Sequence, residues 1–173
     1  MISQPLKLEC GSDIDQLIKM YSDMIYRLAS ANVASKNDAD DVYQDVFLKY
    51  IKCVKKGITF ESEEHRKAWL IRVTVNHCKS LNTSAWYKKT CELDENIYSK
   101  DNEFSDARID FNEALMQIPQ KYRSVIHLFY YEQLSVEQIS NILNVKQSTI
   151  RTQLVRARAQ LKEILKGTYF DEE

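Results

Sequence analysis

Glycine and proline are scarce in this sequence, three and two residues of 173. Few positions therefore break a helix or force a tight turn. Strand-type alternation is equally hard to find, whereas most segments repeat apolar residues every three or four positions. The chain is read as all-α, with almost no β-sheet. No run of about 18 apolar residues is present, and the start, MISQPLKLECGSD, lacks the apolar stretch of a signal peptide, so the expected location is the cytosol with no membrane insertion. Cys10, Cys53, Cys78 and Cys91 form no C-x-x-C pair and share no metal-type spacing with His65, His77 or His127. Neither a disulfide framework nor a metal site is expected, and the thiols are read as reduced. Nucleophile–base pairs, Gly-rich phosphate loops and carboxylate clusters are missing as well, which argues against an enzyme and against a cofactor.

What is present is charge, sorted by segment. The net charge of -1 conceals six basic and no acidic side chains in residues 65–89, then two basic and eight acidic in 90–118. Between Glu137 and Glu163 acid disappears again. Two basic islands flank an acidic belt, so a nucleic-acid footprint would be divided between two places on the chain.

Helical periodicity organises the chain around these islands. A first helix is expected from about Ile14 to Asn32, with Ser12 or Asp13 as N-cap and Leu17, Met20, Met24, Ile25 and Leu28 inward. A second starts near Asn37 or Asp38, carries Val42, Val46, Tyr50 and Val54 with Tyr43, Phe47 and Ile51, and stops at Gly57. A third runs from about Glu63 to Trp86, capped by Ser62, with Ala68, Trp69, Leu70, Val73 and Leu81 inward; its Val-Thr-Val is locally unfavourable to helix. Residues 90–104 are polar and acidic without a sustained period and read as a flexible linker. A short helix near Ser105–Gln117 and a helix opened by Pro119 follow.

The pattern is sharpest in LSVEQISNILNVKQSTIRTQLVRARAQL, residues 134–161. Ser135 and Gln138 match a capping box, Val136, Ile139, Ile142 and Leu143 form a short apolar stripe, and Asn144 suits a left-handed helix end. After a turn at 145–147 a longer helix buries Ile150, Leu154, Ala157, Leu161 and Ile164. This is helix-turn-helix spacing. The second helix presents Ser148, Thr152, Val155, Arg156 and Ala159 outward, with Thr149, Arg151 and Gln153 at the edges. Small side chains allow close approach to the major groove, hydroxyls and Gln can bond base edges or phosphates, and Arg can pair with guanine. Carboxylates would be repelled by a polyanion, which accounts for the acid-free stretch. The first island is different in kind, placing Trp69, Trp86 and Tyr87 with Asn76, His77, Asn82 and Thr83 among cations, a combination suited to unstacked bases. Trp69 is read as core.

DADDVYQDVFLKYIK (38–52), AWLIRVTVNHCKSL (68–81) and the stretch from Ile118 to Leu165 together resemble, in order and spacing, the bacterial extracytoplasmic-function sigma factors. The resemblance implies two small helical domains, 1–89 and 105–173, joined by the linker, the second holding the helix-turn-helix. It implies a factor that directs promoter recognition and DNA melting by core RNA polymerase. Asp41, Gln44, Asp45 and Leu48 would contact the polymerase. Arg72, Asn76, Lys79 and Trp86 would capture the minus-ten element, and Ser148, Thr149, Arg151, Thr152, Gln153 and Arg156 would read the minus-thirty-five duplex. An anti-sigma factor is the further partner implied. Ser80 stands where the family commonly has Asp, and Asn144 where it commonly has Gly. The rival readings are a helix-turn-helix regulator that binds DNA without joining polymerase, and a sigma-like remnant that binds polymerase alone.

Overall fold

The computed structural model describes residues 12–84 and 111–169, all of whose regular elements are helices. The expected linker, Trp86 and Tyr87, Cys10 and Cys91 lie outside these residues. Helix α1 spans Ser12–Ser30, α2 Lys36–Lys55 and α3 Glu63–Thr83. After the gap come α4, Phe111–Met116, and α5, Gln120–Ile126, which runs into a π-turn over His127–Tyr131; α6, Val136–Leu143, and α7, Gln147–Tyr169, complete the chain.

The helix termini follow from local chemistry. The hydroxyl of Ser62 accepts from His65 N at 3.1 Å and caps α3 as its spacing predicts. Helix α2 begins at Lys36, one or two residues before the expected Asn37 or Asp38, because Ser35 is the cap: its Oγ accepts from Asp38 N and donates to Asp38 Oδ2 at 2.7 Å. Gly57 closes α2 at φ 81°, with Gly57 N donating to Val54 O and Ile58 N to Cys53 O, the paired bonds of a left-handed helix end. Pro119 proves to be the residue before α5 rather than part of its first turn, in extended backbone at ψ 141°.

The first three helices form a bundle whose inward residues are largely those of the predicted stripes. Met20 is the exception. It is 59% exposed, and Tyr21 is buried in its place, because at about 100° per residue position 20 lies roughly a sixth of a turn to one side of the line through Leu17, Met24 and Leu28, while the buried Tyr21 and Ile25 lie on the other. In α3 the fully buried residues are Leu70, Ile71, Thr74 and Cys78, and burial overrides the weak local propensity. Thr74 satisfies its own hydroxyl on Leu70 O at 2.8 Å. Trp69 is half-buried and meets Phe60 and Tyr50 edge-on, 5.7 and 6.0 Å between ring centres, so it is a core residue of the α2–α3 corner. Cys53 and Cys78 are free thiols, and burial pushes that of Cys78 up to about 12.

The two halves share one hydrophobic core. They also meet through a polar hub. Asn32 is completely buried; its Nδ2 donates to Leu28 O at 2.7 Å, its Oδ1 accepts from Ser124 Oγ at 2.5 Å, and its carbonyl accepts from Asn82 Nδ2 at 2.9 Å. Arg123 reaches the same carbonyl at 3.4 Å. Buried polar groups hold their place only when matched, and these bonds tie the segment that follows α1 to both α3 and α5. Asn32→Ala should cost about 3 kcal/mol by chemical denaturation, since it strands the Ser124 hydroxyl in a buried site.

The helix opened by Pro119 departs from its expected course at His127, where five residues adopt the wider π-turn before Glu132. His127 is buried, stacks on Tyr131 with ring centres 5.0 Å apart, and has its Nε2 3.9 Å from Glu132 Oε1. Burial, partly opposed by Glu132 and reinforced by Arg27, pushes its pKa down to about 4. An unfolded histidine titrates near 6.5, so between these values the unfolded chain binds a proton the folded chain refuses, and stability falls as pH drops. A loss on the order of 3 kcal/mol is expected from pH 7 to 4, measured by urea unfolding, and His127→Phe should remove most of it.

Candidate nucleic-acid interface

Helix α7 is the first candidate surface. Ile150, Leu154, Ala157 and Leu161 are buried along one side, which orients Ser148, Thr149, Arg151, Thr152 and Arg156 outward; all five are exposed, and Gln153 is half-exposed at the edge. Helix α6 sets this orientation. Its capping box is complete, Ser135 Oγ accepting from Gln138 N at 3.1 Å and Gln138 Oε1 accepting from Ser135 N at 2.8 Å. Asn144 ends it at φ 53°, and Val145 N and Ser140 Oγ each bond across the turn, to Ser140 O and Val145 O. Asparagine thus supplies the left-handed conformation that glycine would otherwise provide.

The exposed face has a defined chemistry. Val155, 62% exposed between Thr152 and Arg156, puts an apolar group where a thymine methyl could be met. Thr152 donates to Ser148 O at 2.9 Å, which leaves its oxygen free to accept, and Arg151 reaches Gln147 Oε1 at 3.2 Å. Arg158 belongs elsewhere: its Nε donates to Tyr130 OH at 2.7 Å and its guanidinium lies over the rings of Phe129 and Tyr130.

The second surface is α3. Arg72, Asn76 and Lys79 recur at helical spacing and all are exposed, so they form one row; Trp86, the fourth predicted member, lies outside the described residues. Asn76 borders a shallow hollow of about 400 Å³ with Lys49, His77, Ser80 and Ser84 among its walls. Arg72 is turned away from this hollow. Its Nε donates to Ile142 O at 2.6 Å and its Nη2 to Asn141 O at 2.9 Å, both on the first helix of the helix-turn-helix.

The third surface is the outer side of α2, where Asp41, Gln44, Asp45 and Leu48 are exposed together. Leu48 is 50% exposed among acids, a pattern that suits a protein contact better than solvent alone. Two neighbours connect this face to the second surface: Lys49, which the sequence did not single out, and His77, whose link to α2 it did not show. Lys49 Nζ donates to His77 Nδ1 at 3.1 Å, and His77 Nε2 stands 3.4 Å from Asp45 Oδ2. An ammonium only donates, so Nδ1 accepts and the ring hydrogen sits on Nε2, toward the carboxylate. Burial first, then the Lys49 charge, hold the His77 pKa below its ordinary value against the pull of Asp45 and Asp41. The available signal was positional: Lys49 is one turn from Asp45, and His77 adjoins Asn76.

A family model described as Sigma-70 region 2 matches residues 17–86, and one described as Sigma-70, region 4 matches residues 108–161. The RNA polymerase sigma factor SigV of Bacillus subtilis is 30% identical over 135 residues, covering 76% of this chain and 78% of SigV. The chain belongs to the ECF RNA polymerase sigma factor family. The ECF sigma factor SigE of Mycolicibacterium smegmatis is 29% identical over 162 residues, and the match spans 87% of this sigma factor but only 61% of SigE. The fold matches that of the sigma factor RpoE from Bartonella quintana, solved in complex with the anti-sigma factor NepR, with a TM-score of 0.67 at 23% identity, over 90% of this chain and 98% of that one. The helix-turn-helix of α6 and α7 falls in the region 4 match, and the α2 and α3 surfaces fall in the region 2 match.

His77→Ala should leave Asp45 and Lys49 in direct competition with solvent. The expected result is a change of no more than about 1 kcal/mol in unfolding free energy, since its charged partners Asp45 and Lys49 are both exposed.

Proposed function

We propose that this sigma factor programs core RNA polymerase by binding alone, without a reaction of its own, in the cytoplasm. Residues 1–89 would act as the polymerase-docking and minus-ten module, 105–173 as the minus-thirty-five module, and 90–104 as the connection. The carrying observation is the outward face of α7, where Ser148, Thr149, Arg151, Thr152 and Arg156 are exposed on a helix held by a fully capped α6, with no carboxylate between Glu137 and Glu163. Gln153 flanks that face.

The proposed mechanism divides the work among the three surfaces. Asp41, Gln44, Asp45 and Leu48 dock on the polymerase. The α7 face enters the major groove of the upstream element, Arg156 pairing with a purine edge and Thr149 and Ser148 positioning the backbone. Asn76, Lys79 and Trp86, joined by Arg72, hold unstacked non-template bases, and their binding offsets the few kcal/mol each base costs to leave the stack. Holding both elements with tethered modules multiplies two modest affinities. RpoE of B. quintana forms a complex with an anti-sigma factor, which supports an anti-sigma partner for this chain also.

Transcription in vitro with purified core polymerase separates this reading from its rivals. A sigma factor should start transcripts from a cognate promoter unaided; a helix-turn-helix regulator would need another sigma present, and a remnant would yield no start site. Arg156→Ala should lower promoter-directed initiation about tenfold or more through the upstream element while leaving polymerase affinity unchanged. Asp41→Lys with Asp45→Lys should weaken core binding and leave duplex binding by the isolated factor intact. If neither change alters promoter-directed transcription, the assignment fails.

A further inference from the structure

The hollow beside Asn76 is built from two neighbouring rows of α3 and one cation of α2. Val73, His77 and Leu81 recur every four residues, and so do Asn76, Ser80 and Ser84 beside them. Residues four apart stand one above another on a helix, so the first row is a largely apolar strip and the second a strip of hydrogen-bonding groups. Lys49 borders the hollow from α2, level with the middle of the apolar strip, where its Nζ donates to His77 Nδ1 at 3.1 Å. The volume of about 400 Å³ falls within the range of about 300–1,000 Å³ typical of small-molecule sites.

The charge of the hollow differs from that of its surroundings. Asp41 and Asp45 lie on the outer face of α2, yet no carboxylate is among the described residues that line it. The His77 ring stands between: Nδ1 takes Lys49, and Nε2 faces Asp45 Oδ2 at 3.4 Å. An ammonium has three hydrogens and no lone pair. One is committed to His77, and two remain for an acceptor in the hollow. The Asn76 amide and the Ser80 hydroxyl can each donate or accept, so Lys49 is the group of fixed polarity among the described lining residues.

Bases differ at the corner that such a donor reads. Thymine and guanine carry a carbonyl oxygen there, O4 or O6, whereas cytosine and adenine carry an amino group. Against an ammonium the amino group sets donor against donor, and neither is satisfied. We propose that this hollow receives one unstacked non-template base and selects a keto base, with Lys49 as the specificity-determining residue. The base choice rests on the minus-ten role proposed for Asn76 and goes beyond it. Lys49 donates to the carbonyl oxygen, Asn76 and Ser80 bond the rest of the pairing edge, and Val73 and Leu81 meet the ring. A carboxylate in the polar row would reverse the choice, because it only accepts.

The test uses the holoenzyme, the full chain with core polymerase, and reads fluorescence anisotropy of short single-stranded oligonucleotides of thymidine, deoxyuridine or deoxycytidine. Core polymerase alone gives the background. Uracil shares its carbonyl with thymine and its lack of a methyl group with cytosine, so the uracil–cytosine pair compares carbonyl with amino group directly. The parent should bind the thymidine and deoxyuridine strands about fivefold more tightly than the deoxycytidine strand. Lys49→Met should abolish that difference, Lys49→Arg should keep it, and Ser80→Asp should shift it toward deoxycytidine. Both positions are exposed, so circular dichroism should show the fold unchanged. Equal binding of the three strands by the parent, or a preference that survives Lys49→Met, overturns the assignment. If Asn76→Ala still weakens every strand in that case, the minus-ten reading stands and the base choice alone falls. If Asn76→Ala changes nothing, or the holoenzyme binds no better than core polymerase, the minus-ten reading falls as well.

Discussion

One buried amide fixes how the two halves of this protein meet. Asn32 ends the first helical segment at a point with no access to water, and its side chain and carbonyl together engage Leu28, Ser124 and Asn82. An apolar contact of the same area would tolerate sliding by a fraction of a turn, because packing is only weakly directional. A set of buried hydrogen bonds does not, since each bond lost leaves a desolvated group behind. Register at the interface is therefore set by polar matching, and the hydrophobic core supplies the driving force around it.

That register determines what α3 can reach. With Asn82 near the end of α3 tied to Asn32, the middle of the helix lies against the C-terminal end of α6, and Arg72 falls on its carbonyls. One turn further along the same helix Asn76 borders the hollow beside Lys49, and His77 meets Lys49 and Asp45 on α2. Helix α3 thus touches three environments along one turn and a half: the helix-turn-helix, the shallow hollow beside Asn76, and the acidic face proposed for polymerase. A displacement of α3 felt at one is felt at the others, because a helix moves as a rigid element.

Much of this was legible in the sequence where a local rule had one solution. The α6–α7 unit could be read closely, with the turn one residue shorter than expected, since the capping box Ser135–Gln138, the left-handed Asn144 and the period of Ile150, Leu154, Ala157 and Leu161 all agree. The outward positions of α7 followed from the inward ones. Other features depend on the other half of the chain and leave no local trace. Asn32 read as the polar end of a helix and is a buried hub. The stretch 120–134 has an unbroken helical pattern, yet it widens into a π-turn at His127–Tyr131, where Tyr131 stacks on His127 and Glu132 reaches across to Lys67. Arg72 shows why role and contact differ: its place in the row with Asn76 and Lys79 was readable, but its carbonyl partners sit about seventy residues away.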